Sequence, residues 1–208
     1  MRRYLVQRLL RTYGQLPRSA KRFLVRLATP SFTAGAVTLI EREDGRILMV
    51  RLAYLKGWSL PGGHLDKHEA AAAAAVREAR EEVGLTVDLL GDPAVVVDPV
   101  LRRIDNVYWA KPAAGVDPDT AKPHSAELVD CGWFEPDNLP SMNFITRATL
   151  WAVSSTWATL GGEVPDWAAA MAAQLVPPDP SISGGRSVTP LWSTEDEYQA
   201  VKRAALDQ

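Results

Sequence analysis

The segment from Pro61 to Leu85 constrains this chain more than any other part of it. It opens on an expected turn at Pro61-Gly62-Gly63, runs through Asp66 and Glu69, continues with six consecutive alanines (Ala70 to Ala75) and stops at Gly84. Alanine has the highest intrinsic helix propensity, Asp66 with Glu69 three residues later has the form of a capping box, and a glycine after the last turn supplies the left-handed residue that ends a helix. The expected helix carries Glu78, Glu81 and Glu82 at spacings of three and four, which puts three carboxylates on one face. Like charges so placed repel and ask for a counter-ion. Hard divalent cations such as Mg²⁺ take oxygen ligands, and the glycines ahead of the helix let backbone carbonyls come close. The bland alternative is a solvated acidic face with Arg77 and Glu81 as an ordinary ion pair.

The rest of the chain alternates strand and loop signals. Phe32 to Ile40 and Ile47 to Leu52 are rich in β-branched and apolar residues, with Asp44-Gly45 between them as a hairpin turn. Trp58 to Leu60, Leu85 to Val100, Ile104 to Ala110 and Leu128 to Phe134 read as further strands, and residues 111–126 as a long loop. Helices are expected over 143–160 and 165–175, then a Pro/Ser/Gly linker from Val176 to Pro190 and a terminal helix from Thr194. Residues 2–28 read as one or two short amphipathic helices broken near Gly14 and Pro17. The expected organisation is a basic helical extension (1–30), a central domain (31–160) and a C-terminal extension (161–208).

Charge is unevenly spread. Residues 1–30 hold eight of the 23 Lys/Arg and none of the 25 Asp/Glu, so the remainder has 15 against 25, a balance of −10. Backbone phosphates dominate affinity for long nucleic acid, so a domain this acidic is not expected to hold it. The basic segment reads first as helices packed on their own domain or on a dimer mate, and alternatively as a membrane-surface contact through residues 1–28. Cys131 is the sole cysteine, which excludes an intrachain disulfide and a Cys-based metal cluster. No apolar run reaches membrane-spanning length, and arginines interrupt the N-terminus too early for a signal-peptide core. A cytoplasmic location is therefore expected.

From Gly63 the order is Gly, five residues, Glu69, seven residues, Arg77-Glu78, Ala79, Arg80, Glu81-Glu82, Val83, Gly84, Leu85. This resembles the signature of the Nudix hydrolase family, with every defined position filled. Ala79 is small for its aliphatic slot, and His68 stands where relatives often carry glycine. Trp58 to Gly63 is similar to the family's lead-in strand, and Gly132-Trp133-Phe134 with Leu139-Pro140 to its late strand and turn. The resemblance implies an α/β fold, a Nudix-type α/β/α sandwich with a mixed curved sheet, here with helical extensions at both termini. It implies a pyrophosphohydrolase that uses Mg²⁺ or Mn²⁺ to cleave a diphosphate bond in a nucleoside diphosphate linked to another moiety, such as ADP-ribose.

By that resemblance Glu78, Glu81 and Glu82 hold metal, with the Gly62 carbonyl and Glu127, an acid six residues ahead of Trp133, as further ligands. Arg77 orients a glutamate, Glu69 braces the loop–helix junction, and the general base is Glu78 or Glu81. Trp58 is a candidate for stacking on a base, although seven tryptophans make core packing the default. His64, His68 and His124 form no metal-ligand set. Pro99, 14 residues beyond Leu85, lies near a proline that ADP-ribose-hydrolysing relatives carry. Two other readings stay open: a nucleotide-binding module without turnover, and a peripheral-membrane hydrolase of lipid or isoprenoid diphosphates.

Overall fold

Apolar residues on both parities of a strand mean that both faces are covered, and the two strands after residue 32 have that property. The computed structural model describes residues 2–29, 31–98, 101–143, 145–147, 149, 150, 153 and 154. The chain divides into two compact units, Met1–Phe32 and Thr33–Gln208. The first consists of α1 (Arg2–Gln15) and α2 (Arg18–Ala28). Pro17 stands at the N-cap of α2, where its missing N–H costs nothing. The expected helix over 165–175, the linker, the terminal helix and Pro99 all lie outside the described residues.

In the second unit, β1 (Thr33–Ile40), β4 (Gly62–His64), β5 (Val87–Asp98) and β6 (Arg103–Pro112) form a mixed sheet in the order β4-β1-β6-β5. Its β1–β6 pair is parallel, and the β1–β4 and β5–β6 pairs are antiparallel. A second, antiparallel sheet has the order β3-β2-β7, from β3 (Trp58–Ser59), β2 (Ile47–Leu52) and β7 (Leu128–Phe134). One helix, α3 (Ala71–Val83), follows β4.

Alternation along the strands sorts the core into two layers. Ala36, Leu48 and Val50 face α3, packing with Ala74 and Ala75 or with Ala79 and Val83. Leu39, Ile47 and Met49 face the other way and pack on Leu150; Val107, Ala94 and Val96 pack on Val153. Both residues lie in the expected helix after 143, whose described positions 145–147, 149, 150, 153 and 154 are helical. Helix, sheet and helix therefore stack as the α/β reading requires.

Three local expectations are corrected. The turn at Asp44-Gly45 forms, with Gly45 at φ 83°, but it does not join a regular hairpin. β1 and β2 share one bridge, Glu41 to Ile47, and then diverge into different sheets, because their long-range partners β6 and β7 take up their edges. Pro61-Gly62-Gly63 does not act as a turn alone, since its glycines open β4 against β1. Asp66 does not cap α3: the N-cap is Ala70, without a side-chain bond, whereas Gly84 closes the helix at φ 75° as expected. Glu69 does accept from the Asp66 N–H at 2.9 Å, but His68 between them stands at φ 71°, outside the helical region, so the helix begins only after Ala70.

Candidate functional site

The site begins with two glycines that have no room for a side chain. Gly62 has φ 153°, and a Cβ on it would strike the backbone of Ala36 and Val37. A Cβ on Gly63 would come within 2.5–2.9 Å of the carboxyl atoms of Glu78. Gly62 can take no side chain there, and one on Gly63 would have to displace the Glu78 carboxyl, so β4 pairs beside β1 with its glycines close to the acidic face of α3. The Gly62 N–H then donates to Glu82 Oε2 at 2.9 Å.

Arg77 is the hub of the helix face. Its Nε and Nη2 both donate to Glu69, each at 2.9 Å, a bidentate pairing. Nη1 donates to Glu78 at 2.8 Å and to Glu81 at 3.0 Å, and Nη2 also donates to the His64 carbonyl at 3.0 Å. Glu69 accepts in addition from the Asp66 N–H at 2.9 Å. Arg77, then that N–H, holds the Glu69 carboxyl down at about 2, and Glu69 first, with Glu78 and Glu81, pushes the Arg77 guanidinium up against the opposing effect of burial. The loop from Asp66 to Glu69 is thus pinned to α3 from eight residues away, with His68 at φ 71° in its tight turn.

Glu82 is the exception on this face. It is buried, 8% exposed, and among the described residues no cation pairs with it. Burial pushes its pKa from 4.5 up to about 7; the Gly62 N–H opposes this, and the charges of Glu78 and Glu127 add to it. Glu127 is therefore within electrostatic reach of Glu82. Its own loop is exposed, and it accepts from Tyr54 Oη at 3.1 Å, while its backbone carbonyl accepts from Ala53 N–H at 2.8 Å. Burial, then Glu127, raises the Tyr54 phenol.

Of the expected residues, the fold brings Gly62, Glu78, Glu82 and Glu127 into one neighbourhood. Glu81 sits at its rim, 54% exposed and turned onto Arg77. Among the described residues, no group of three or more His, Cys, Asp or Glu side chains is arranged to hold a metal ion. The reason is visible in the pairings: Glu78 and Glu81 lean to the Arg77 guanidinium, and Glu82 to Gly62. Trp58 is half-buried, edge-on to Phe134 with centroids 4.8 Å apart, and packs on the Leu39 cluster. Tyr54 was missed by sequence reasoning. A lone tyrosine in a short loop between strands carries no signal until Glu127 is placed opposite it across 73 residues.

The family model for the NUDIX domain matches residues 31–164. The chain belongs to that family. Two curated relatives are similar to this Nudix protein at 30% identity. One is a "Putative 8-oxo-dGTP diphosphatase" of Bacillus subtilis, aligned over 52% of this chain and 70% of the relative. The other is a "MutT-like protein" of Streptomyces ambofaciens, over 53% and 68%. A solved structure, a "putative nudix hydrolase family member" from Chromobacterium violaceum, is 25% identical with a TM-score of 0.48, covering 71% of this chain and 90% of its own. The expected enzyme class, a Nudix pyrophosphohydrolase, is the one to which the family match and the diphosphatase relative point.

Proposed function

We propose that this Nudix protein is a divalent-metal-dependent hydrolase of a small nucleotide, cleaving the diphosphate of a nucleoside diphosphate linked to a further phosphate or other moiety. One observation carries the reading: the buried Glu82 carboxylate has acids, not cations, for neighbours, and sits where only glycine backbone fits. A folded chain retains an unneutralised buried carboxylate at a cost, and a bound cation removes that cost. The donors are all oxygen, the set that Mg²⁺ and Mn²⁺ take.

In this reading Glu78, Glu81 and Glu82, with the Gly62 carbonyl and Glu127, hold the cation. When bound, it would neutralise phosphate charge and lower the pKa of water beside it. The chain's own residues do the rest. Arg77 fixes the directions of Glu78 and Glu81, one of which accepts the proton of the water that attacks phosphorus. Glu69 holds the other edge of Arg77, so that the guanidinium cannot swing toward substrate. Tyr54 holds Glu127 by its Oε2. Such chemistry is mostly positioning and charge stabilisation. The relative's name favours oxidised purine nucleoside triphosphates as the first compounds to try, with ADP-ribose next. The one cysteine fits a reducing compartment, and the cytoplasm is the proposed location.

The experiment is metal-dependent product release over a panel of nucleoside triphosphates (oxidised ones included), ADP-ribose, dinucleoside polyphosphates, sugar nucleotides and isoprenoid diphosphates. Glu82→Gln serves as the blank. A strong Mg²⁺-dependent hit that the variant loses by orders of magnitude is the expected result. Turnover retained by Glu82→Gln would refute the metal assignment, and Mg²⁺ binding with no turnover would favour a non-catalytic nucleotide-binding module.

A further inference from the structure

The α1–α2 unit has a composition and geometry that the hydrolytic site does not use. In α2, Ala20, Phe23, Leu24 and Leu27 follow the i, i+3, i+4, i+7 spacing of one helix face, and Arg18, Arg22 and Arg26 follow i, i+4, i+8 on the opposite one. Lys21 lies on the border between them. No residue of α2 is buried: Phe23 is 63% exposed and Leu27 69%. In α1, Val6, Leu10 and Tyr13 repeat the pattern at i, i+4, i+7, and all are exposed. The two helices are tied to each other by Lys21, whose ammonium donates to the Gly14 carbonyl at 2.7 Å and lies 5.7 Å from the Tyr13 ring centre.

We propose that residues 2–28 dock on an anionic phospholipid surface, with α2 lying flat and Phe23, Leu24 and Leu27 entering the boundary between headgroups and acyl chains. Two properties together select this occupant. The unit holds eight cations and no acid, so its partner is anionic, and a second copy of the same unit is repelled. The apolar face in turn excludes a partner recognised by charge alone, since a nucleic-acid backbone offers Phe23 and Leu27 nothing to bury against. Apolar residues on one face and arginines on the other are what an interfacial helix requires, and anionic lipid attracts each Lys or Arg near its surface. Among the described residues no helix is long and apolar enough to cross a membrane, so the contact lies on the bilayer.

The test is sedimentation of the full chain with vesicles of phosphatidylcholine alone and of phosphatidylcholine with phosphatidylglycerol, at low and high salt. Binding is expected only to the anionic vesicles, weakening as salt rises. Phe23→Gln/Leu24→Gln/Leu27→Gln and Arg18→Gln/Arg22→Gln/Arg26→Gln should each lower partitioning by about tenfold or more. Both should leave metal-dependent hydrolysis of a soluble substrate intact, since the site lies in the other compact unit. An unchanged far-ultraviolet circular dichroism spectrum of the full chain certifies that the two helices remain folded. A second measurement reads depth directly. In a Cys131→Ala background, an environment-sensitive fluorophore on Leu27→Cys should shift to the blue on vesicle binding, and one on Arg22→Cys should not.

No binding to anionic vesicles at low salt overturns the proposal. So does an apolar triple variant that binds as well as the unaltered chain, because the contact would then be charge alone. Self-association of the full chain that the apolar variant abolishes would give the face to a second copy and overturn it equally.

Discussion

Glu82 is held in a state that only an additional positive charge would relieve, and this has a measurable consequence in metal-free protein. Its pKa rises from 4.5 to about 7 on folding, through burial first. Between those values the folded chain binds more protons than the unfolded one. The stability gained from a protonated Glu82 is therefore complete below about 4.5 and is lost as pH climbs to about 7. The loss is on the order of 3 kcal/mol at 1.36 kcal/mol per unit. With chelator present, Glu82→Gln should melt above the unaltered protein at pH 8 and level with it near pH 4, because Gln can still accept from the Gly62 N–H. Excess Mg²⁺ should reverse the order at pH 8, since ligand that binds only the native state stabilises it. Equal melting curves at pH 8 without metal would show that Glu82 is not strained by its charge. His68 carries a smaller strain. At φ 71° a side chain costs about 1–2 kcal/mol, and glycine's extra unfolded freedom returns about 0.5–1 of that. His68→Gly should thus raise stability, read from denaturant unfolding, by up to about 1.5 kcal/mol. Hydrolysis should be unchanged, because the exposed His68 side chain has, among the described residues, no hydrogen bond or ion pair to Arg77 or the acids. A lower midpoint would mean the ring makes a contact worth more than the strain.

At the scale of elements, α3 works because its inner face is alanine. Ala74, Ala75 and Ala79 are fully buried, and Thr38 Oγ1 reaches the Ala75 carbonyl at 3.2 Å, so the helix axis lies close to β1. That closeness brings Glu78 against Gly63 and Glu82 to the Gly62 N–H. Ala79→Leu would force three more carbons into a filled layer between Ile40, Leu48 and Val50. Overpacking should cost about 1–3 kcal/mol. It should also lower kcat in protein that remains folded, by lifting the acids from β4; full activity would show that α3 need not lie so close. Elements whose signals are local were legible in the sequence: β7 at Leu128–Phe134, the stop at Gly84, the break between α1 and α2. Those decided by distant partners were not. The Asp66/Glu69 pattern names a cap, and Glu69 does accept from the Asp66 N–H; but Arg77, eight residues on, also holds both Glu69 oxygens, and the chain turns through His68 at φ 71°, so Ala70 is the N-cap. Pro61-Gly62-Gly63 has the composition of a turn, and only the proximity of Ala36, Val37 and Glu78 explains why glycine is needed in a strand there. The acids were legible as a set through their helical spacing. Their actual partners were not, because Arg77 at the centre competes for Glu78 and Glu81, and Glu127 joins from a loop 45 residues after Glu82 in the chain.

For the whole molecule the decisive contrast is charge, +8 in residues 1–30 against −10 in the remainder. Every residue proposed for hydrolysis, from Tyr54 to Glu127, belongs to the second compact unit. Deleting residues 1–30 should therefore leave a folded hydrolase. What the deletion removes is a source of positive potential, which attracts an anionic nucleotide at long range only where salt does not screen it. The Debye length is about 8 Å at physiological ionic strength and about 30 Å at 0.01 M. The kcat/KM of full and shortened chains on a soluble nucleotide should accordingly agree within about twofold at physiological salt. The two should separate as salt falls, the full chain being faster through its on-rate while kcat stays common to both. A tenfold loss at physiological salt, or a change in kcat, would instead mean that the basic helices complete the site. In that case the vesicle contact and the hydrolysis would compete for the same surface, and anionic vesicles would inhibit the full chain.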